Sequence, residues 1–181
     1  TPAMQRYIAE QIEPQVRRKG AQRALLEALY TEGELRLEYD AARTRTAAEA
    51  FDARRGNCLS LVLMTAAFAR EMGLMVRLQE VLGAPVLEHN GVLTFVVGHV
   101  NLALGDGGRH GRTGMTEQPW LIVDFLPGQD LARQQRRAID DRRVAAMFMN
   151  NRAAEELAQG RVHEAYWWLR GRRTVRNAVA L

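Results

Sequence analysis

Apolar residues near the start of the chain recur at helical spacing. Ile8, Ile12 and Val16 lie four residues apart, which predicts helix over residues 2–31 with an interruption at Gly20. The helical period is then lost, so residues 32–45 are predicted to be irregular.

A second helical region is apolar on nearly every side. Thr46 and Glu49 form a capping box that predicts a short helix just after Thr46, and Asn57 is placed to cap the next one. That next helix is predicted to end near Met72, and its apolar residues are Leu59, Leu61, Val62, Leu63, Met64, Ala66, Ala67 and Phe68. A helix without a polar face is buried at the centre of a domain.

Beyond Gly73 the pattern changes to the alternation of strands. It predicts strands at residues 74–82, 92–104 and 120–125, and a glycine-rich hairpin loop over 105–119. A helical pattern returns afterwards.

Together these elements predict an α+β fold, in which a buried helix packs on an antiparallel sheet with helices on both flanks. We expect an N-terminal helical segment over residues 1–45 and a core over residues 46–129. C-terminal helices should follow over residues 130–181, with one or two of them in 130–158 and another from residue 162.

Composition excludes several classes of protein. The chain has 181 residues, 47% hydrophobic and 25% charged, as in ordinary folded domains. No apolar run approaches the 18 or so residues of a membrane span. The net charge of +4 comes almost entirely from arginines dispersed among acidic residues. Proteins that bind nucleic acids commonly have aromatic residues placed among clustered basic residues, and this sequence has no such cluster. We therefore expect no nucleic-acid partner.

The only cysteine, Cys58, lies in the first turn of the predicted buried helix. A single cysteine cannot form an internal disulfide. The unpaired N–H groups and partial positive charge of a helix N-terminus stabilise a thiolate, which is the nucleophilic form of cysteine. The backbone N–H of Cys58 is also placed to stabilise an oxyanion formed by attack on a carbonyl.

A base and a residue to orient it lie on the predicted strands. His99 is in mid-strand, on the same face as Asn101 and opposite Val100. Asp124 lies in the next predicted strand. If these strands pair antiparallel, Asp124 can accept from one imidazole nitrogen of His99 and leave the other facing Cys58.

Each of these residues also has a purely structural interpretation. Cys58 alone is typical of a buried thiol, His99 of a hydrogen-bonded histidine inside a sheet, and Asp124 of a turn residue at a strand end. A zinc site from His89, His99, His110 and Asp124 would lack a short ligand pair on one element, so no metal and no cofactor is expected. His89 and His110 are predicted in loops, and His163 in the packing of a C-terminal helix.

Residues 46–125 resemble the transglutaminase-like superfamily of papain-fold cysteine enzymes. The motifs are Arg-Gly-Asn-Cys-Leu-Ser at 55–60, Gly-His-Val-Asn-Leu at 98–102 and Val-Asp-Phe at 123–125. The resemblance implies a Cys58–His99–Asp124 triad and acyl-thioester chemistry on a peptide or isopeptide amide, with water or an amine as acceptor.

Many members of that superfamily complete the oxyanion hole with a Trp or Gln upstream of the cysteine. Here no Trp precedes Cys58, and the nearest upstream Gln is Gln22. Asn57, Tyr39 and Tyr30 are the candidate substitutes. The alternative function is a catalytically weak or inactive scaffold of the same fold that binds a protein partner.

The C-terminal segment resembles one tetratricopeptide repeat, as found in some bacterial transglutaminase-like proteins. Ala153, Gly160 at the turn and Ala165 fit its helix–turn–helix pattern. Trp167 and Trp168 are predicted to be core residues. The C-terminal helices are then a candidate surface for a protein partner. The compartment stays open between the cytoplasm and the periplasm or cell envelope.

Overall fold

The N-terminal region is helical, as its apolar spacing predicts. In the computed structural model, which describes residues 1–30, 35, 37–90, 93–106, 120–126 and 134–177, helix α1 (Pro2–Tyr7) continues through a π-helical turn (Ile8–Ile12) into α2 (Glu13–Lys19). Gly20 then ends the helix with φ +80°, a conformation that favours glycine, and α3 (Ala21–Tyr30) follows. The predicted interruption at Gly20 is confirmed.

Short elements lead into the central helix. Strand β1 (Glu38–Tyr39) pairs in parallel with β2 (Arg55–Gly56), and α4 (Ala47–Ala53) lies between them along the chain. The capping box of α4 forms as predicted, because Glu49 Oε2 accepts from the Thr46 N–H at 2.8 Å while Thr46 Oγ1 accepts from the Glu49 N–H.

The central helix α5 (Cys58–Glu71) forms the middle of the core. Its apolar residues contact α3 on one side and the sheet on the other. The buried set includes Leu25, Leu29, Leu59, Val62, Met64, Phe68, Val100, Leu102 and Leu104. The prediction of a buried central helix is confirmed.

Within the described residues, four strands form an antiparallel sheet in the order β5–β4–β3–β6. They are β3 (Met75–Asn90), β4 (Leu93–Gly105), β5 (Leu121–Val123) and β6 (Gln135–Ile139). The β3–β4 register shifts between Val81 and Val86, beside the pairing of Val81 with His99. Such bulges bend a strand and redirect its side chains. An α+β fold with an antiparallel sheet and flanking helices is therefore present.

The sequence prediction was wrong for residues 135–139, which form β6 rather than part of a C-terminal helix. These residues include helix formers, but their backbone completes the edge of β3, and tertiary pairing outweighs local propensity. Arg137 also forms an ion pair with Glu80 of β3 at 2.7 Å. His89 was predicted in a loop and instead lies in β3, opposite Thr94.

Helices α6 (Asp141–Ala158) and α7 (Val162–Asn177) pack against each other after a turn at Gly160, whose φ is +75°. Ala153 and Ala165 are buried, which lets the helices approach closely. Trp168 is partly buried against Phe148. Trp167 was predicted in the core, but 52% of its surface is exposed, because it lies on the side of α7 that faces away from α6.

Side chains of α6 attach this helical pair to the core. Arg143 contacts Glu80 of β3, and Asp141 contacts Arg70 of α5. Glu155 accepts a hydrogen bond from the backbone N–H of Thr44 at 2.6 Å. No described helix is long and apolar enough to cross a membrane. Most of the predicted glycine-rich loop, including His110, lies outside the described residues.

Candidate active site

Cys58 lies in the first turn of α5, where Asn57 caps the helix. Asn57 Oδ1 accepts from the Ser60 backbone N–H at 3.0 Å and from the Ser60 hydroxyl at 2.8 Å. Asn57 Nδ2 donates to the Thr44 hydroxyl at 2.7 Å. The cap satisfies one of the unpaired N–H groups of the first turn, and the N–H of Cys58 lies in the same turn, where no intrahelical acceptor exists.

The backbone just before Cys58 is held close to the helix. A Cβ on Gly56 would lie 2.6 Å from the Ser60 Cβ, so only glycine allows this approach. The Gly56 carbonyl accepts from the Asp40 N–H at 3.0 Å, and the Ser60 hydroxyl accepts from the Arg45 N–H at 2.7 Å. These contacts hold the backbone that precedes Cys58 against the first turn of α5.

His99 and Asp124 form the hydrogen-bonded pair that antiparallel pairing of their strands predicts. Leu102 is paired with Val123, which brings Asp124 to the level of Asn101 and within reach of His99. His99 Nε2 donates to the Asp124 carboxylate, 2.8 Å from Oδ1 and 2.9 Å from Oδ2. The two side chains are 14% and 3% exposed, so water screens this pair weakly.

Two further donors hold the Asp124 carboxylate. The backbone N–H of Leu126 donates to Oδ1 at 3.0 Å, and Asn101 Nδ2 donates to Oδ2 at 3.1 Å. Each carboxylate oxygen therefore accepts from His99 and from one other group.

The pair is an ion pair at neutral pH. Burial lowers the pKa of His99, but the hydrogen bond to Asp124 and the interaction with the Cys58 side chain raise it by more, from 6.5 to about 9. Burial raises the pKa of Asp124, but bonds from His99, Leu126 and Asn101 lower it by more, from 3.8 to about 2. His99 is therefore an imidazolium and Asp124 a carboxylate at pH 7.

The second imidazole nitrogen of His99 faces away from Asp124. Nδ1 is buried and has no hydrogen-bond partner within the described part of the chain. The Cys58 side chain lies near enough to raise the pKa of the imidazole, and Cys58 is itself buried, with 8% of its surface exposed. The structure thus brings Cys58, His99 and Asp124 together, with Asp124 on one side of the ring.

The candidate oxyanion residues occupy different places. Asn57 is the helix cap, and Tyr39 lies opposite Gly56 in the β1–β2 pair. Tyr30 shares a hydrogen bond with Thr65 of α5 at 3.2 Å and packs on Phe125. Gln22 donates to the Leu104 carbonyl at 2.9 Å. Leu104 lies near the C-terminal end of β4, away from His99. A role for Asn57 or Tyr39 in stabilising an oxyanion stays a prediction.

Sequence reasoning placed Asn101 beside His99 but gave it no role. Its spacing of two residues from His99 was the available signal, because alternate residues of a strand share a face. Gln134, which accepts from Asn101 at 3.4 Å, carried no such signal. Within the described residues, no cluster of three or more His, Cys, Asp or Glu side chains could hold a metal ion.

Comparisons with protein-family models, with curated proteins and with solved structures give no match. The geometry of the site therefore carries the functional conclusion.

Proposed function

We propose that this protein is a cysteine-dependent hydrolase or acyltransferase that acts on a peptide or isopeptide amide through an acyl-thioester on Cys58. The observation that carries this proposal is the orientation of His99. Asp124 binds Nε2 with both oxygens, while Nδ1 is buried, unpartnered in the described structure and close to the only thiol of the chain.

This arrangement fits nucleophilic catalysis by cysteine. An imidazolium next to a thiol stabilises the thiolate, and the carboxylate of Asp124 stabilises the imidazolium. A histidine that served only to hold a sheet together would have no need of a buried nitrogen without a partner, since such an atom is destabilising.

The proposed reaction proceeds in two transfers. The Cys58 sulfur attacks the amide carbonyl carbon, and the Cys58 backbone N–H stabilises the resulting oxyanion. His99 donates its proton to the departing nitrogen, the C–N bond breaks, and an acyl-thioester remains. Water or an amine then loses a proton to His99 and attacks the thioester carbon, which releases the thiolate.

The order of the elements supports a papain- or transglutaminase-like core as the finer description of the fold. A nucleophile at the start of a buried helix is followed by a histidine strand and an aspartate strand, paired antiparallel. The helical pair α6–α7 is similarly proposed to be a tetratricopeptide-like unit, on the evidence of its small buried residues and the turn at Gly160.

Alkylation by iodoacetamide tests the proposal without a known substrate. Because Cys58 is the only cysteine, all labelling reports on it. The reactivity of an ordinary thiol falls about tenfold for each pH unit below its pKa of about 8.5. A thiol activated by the His99 imidazolium should instead label faster at pH 6 than the same thiol without His99.

Two variants make this measurement specific. His99→Ala should lose the labelling at pH 6 and recover it only in alkaline solution. His163→Ala is the matched control, because His163 is an exposed histidine of α7 whose partner is Trp167. A wild-type profile that falls steeply below pH 8.5, with no difference from His99→Ala, would refute the proposed function.

A second candidate function, protein binding through α7, rests on a separate observation. Val162, Tyr166 and Leu169 are exposed on one face of α7, and the exposed ring of Trp167 packs against Tyr166 beside it. Aromatic residues of this kind dominate the binding energy of protein interfaces.

Affinity capture distinguishes this function from catalysis. A partner bound through α7 should be lost by Trp167→Ser and retained by Cys58→Ala. Leu121→Ser removes an exposed apolar residue of β5 and is the matched control. Equal recovery of bound proteins by the wild type and by Trp167→Ser would exclude the α7 face as a docking surface.

A further inference from the structure

Asn101 is a fully buried polar residue next to the candidate catalytic pair. It is 0% exposed, and it lies two residues after His99 on the same face of β4. Its Nδ2 donates to Asp124 Oδ2 at 3.1 Å and to Gln134 Oε1 at 3.4 Å. Its Oδ1 is buried and has no partner among the described residues.

The orientation of this amide is determined by its neighbours. Both groups near Nδ2 are oxygens, one of a carboxylate and one of an amide. If the amide of Asn101 were rotated by half a turn, its own oxygen would face them without a proton between. Only Nδ2 can therefore face Asp124.

An asparagine at this position is not explained by stability. An apolar side chain of similar size would fill the same space without leaving a buried carbonyl oxygen unpaired, which is destabilising. What the amide supplies, and an apolar residue does not, is the bond to the Asp124 carboxylate.

We propose that Asn101 is a positioning residue, which fixes the Asp124 carboxylate so that both of its oxygens face His99 Nε2. Leu126 holds one oxygen and Asn101 holds the other. Without Asn101, the carboxylate can turn about its Cβ–Cγ bond while the Leu126 bond stays in place. The imidazole would then lose one of its two contacts, and the direction of Nδ1 toward Cys58 would be set less firmly.

Gln134 extends this arrangement to the edge strand. Its oxygen accepts from Asn101, and it directly precedes β6. The pairing of β6 with β3 therefore positions Gln134, and Gln134 in turn fixes the orientation of the Asn101 amide. Among the described residues, the hydrogen bonds of Asn101 go to Asp124 and Gln134 and not to Cys58 or His99, so it acts through Asp124.

The test follows His99 directly and so does not depend on a substrate, although the proposal rests on the proposed function. Asn101→Leu removes the donor and keeps the volume, and Asn101→Ala removes the donor without adding bulk. In either variant we expect the pKa of His99, measured by NMR of the imidazole, to fall by about one unit. If Nδ1 is also directed less firmly toward the sulfur, the labelling of Cys58 at pH 6 relative to pH 8.5 should fall as well.

Gln22→Leu is the matched control, because the side-chain hydrogen bond of Gln22 goes to the same strand, at the Leu104 carbonyl, rather than to Cys58, His99 or Asp124. It should lower thermal stability and leave both the pKa and the labelling profile unchanged. If whichever Asn101 variant folds keeps the wild-type pKa and profile, Asn101 is structural and the proposal is wrong. A wild type without labelling at pH 6 would instead refute the proposed function, while the NMR titration would still judge Asn101.

Discussion

The charge on His99 makes the stability of the protein depend on pH in a direction that the structure fixes. The variant that tests this is His99→Gln, because glutamine keeps a side-chain N–H but cannot gain or lose a proton in this pH range. In the wild type, burial lowers the pKa of His99 while Asp124 and Cys58 raise it by more, from 6.5 to about 9. The folded state therefore binds a proton more tightly than the unfolded state does.

The sign of the effect follows from this difference. Below pH 6.5 the imidazole is charged in both states, and the stabilisation by its partners is fully present. As the pH rises from 6.5 through 9, the unfolded state loses its proton first, and the stabilisation is lost. At about 1.4 kcal/mol per pKa unit, the loss is about 3 kcal/mol.

Urea unfolding followed by tryptophan fluorescence measures this loss. The free energy of unfolding of the wild type should exceed that of His99→Gln most at pH 6, and the excess should shrink by about 3 kcal/mol by pH 10. Groups that do not contact His99 titrate equally in both proteins, so the difference reports on His99 together with the partners coupled to it. An excess that stays constant from pH 6 to pH 10 would show that the imidazole is not held as a cation.

Other substitutions test the site and its approach. Cys58→Ala should keep the fold and abolish labelling and any amidase activity, since it removes the nucleophile and leaves little cavity; wild-type turnover by this variant would contradict the mechanism. Asp124→Asn should lower activity more than the melting temperature, as in serine triads, where the analogous change lowers turnover about 10⁴-fold. Above pH 3.8 the wild type should have a higher free energy of unfolding than this variant. This difference should disappear as the pH falls through about 2. Gly56→Ala should lower the free energy of unfolding by about 1–3 kcal/mol, because its Cβ would lie 2.6 Å from the Ser60 Cβ. Gly171→Ala meets only ordinary contacts and should be neutral or stabilising in the same urea titration.

Local signals were sufficient for much of the site. The cap at Asn57 places Cys58 at a helix start, and the alternation along β4 puts His99 and Asn101 on one face. Both inferences depend on a few consecutive residues, so the sequence contains them. The pairing that brings Asp124 to His99 required only that neighbouring strands in the sequence be neighbours in the sheet, which is the common arrangement.

Features that depend on distant residues were not predictable in the same way. Residues 135–139 have a helical composition and become a strand only because β3 offers an open edge. The exposure of Trp167 depends on which side of α7 meets α6, and both sides of that helix carry large apolar residues. The direction of the His99 ring depends on Asn101 and Leu126 together, which no single motif encodes.

The hydrogen bond from Thr44 to Glu155 has a consequence for the order of folding. It joins residues 111 positions apart, and it ties the segment that also holds the Asn57 cap to α6. During synthesis the hydrogen bond that holds the Thr44 backbone can form only after Glu155 has left the ribosome, since contacts between distant residues must await the later one. The growing chain therefore contains Cys58, His99 and Asp124 before the contact that ties the Asn57 segment to α6 can form.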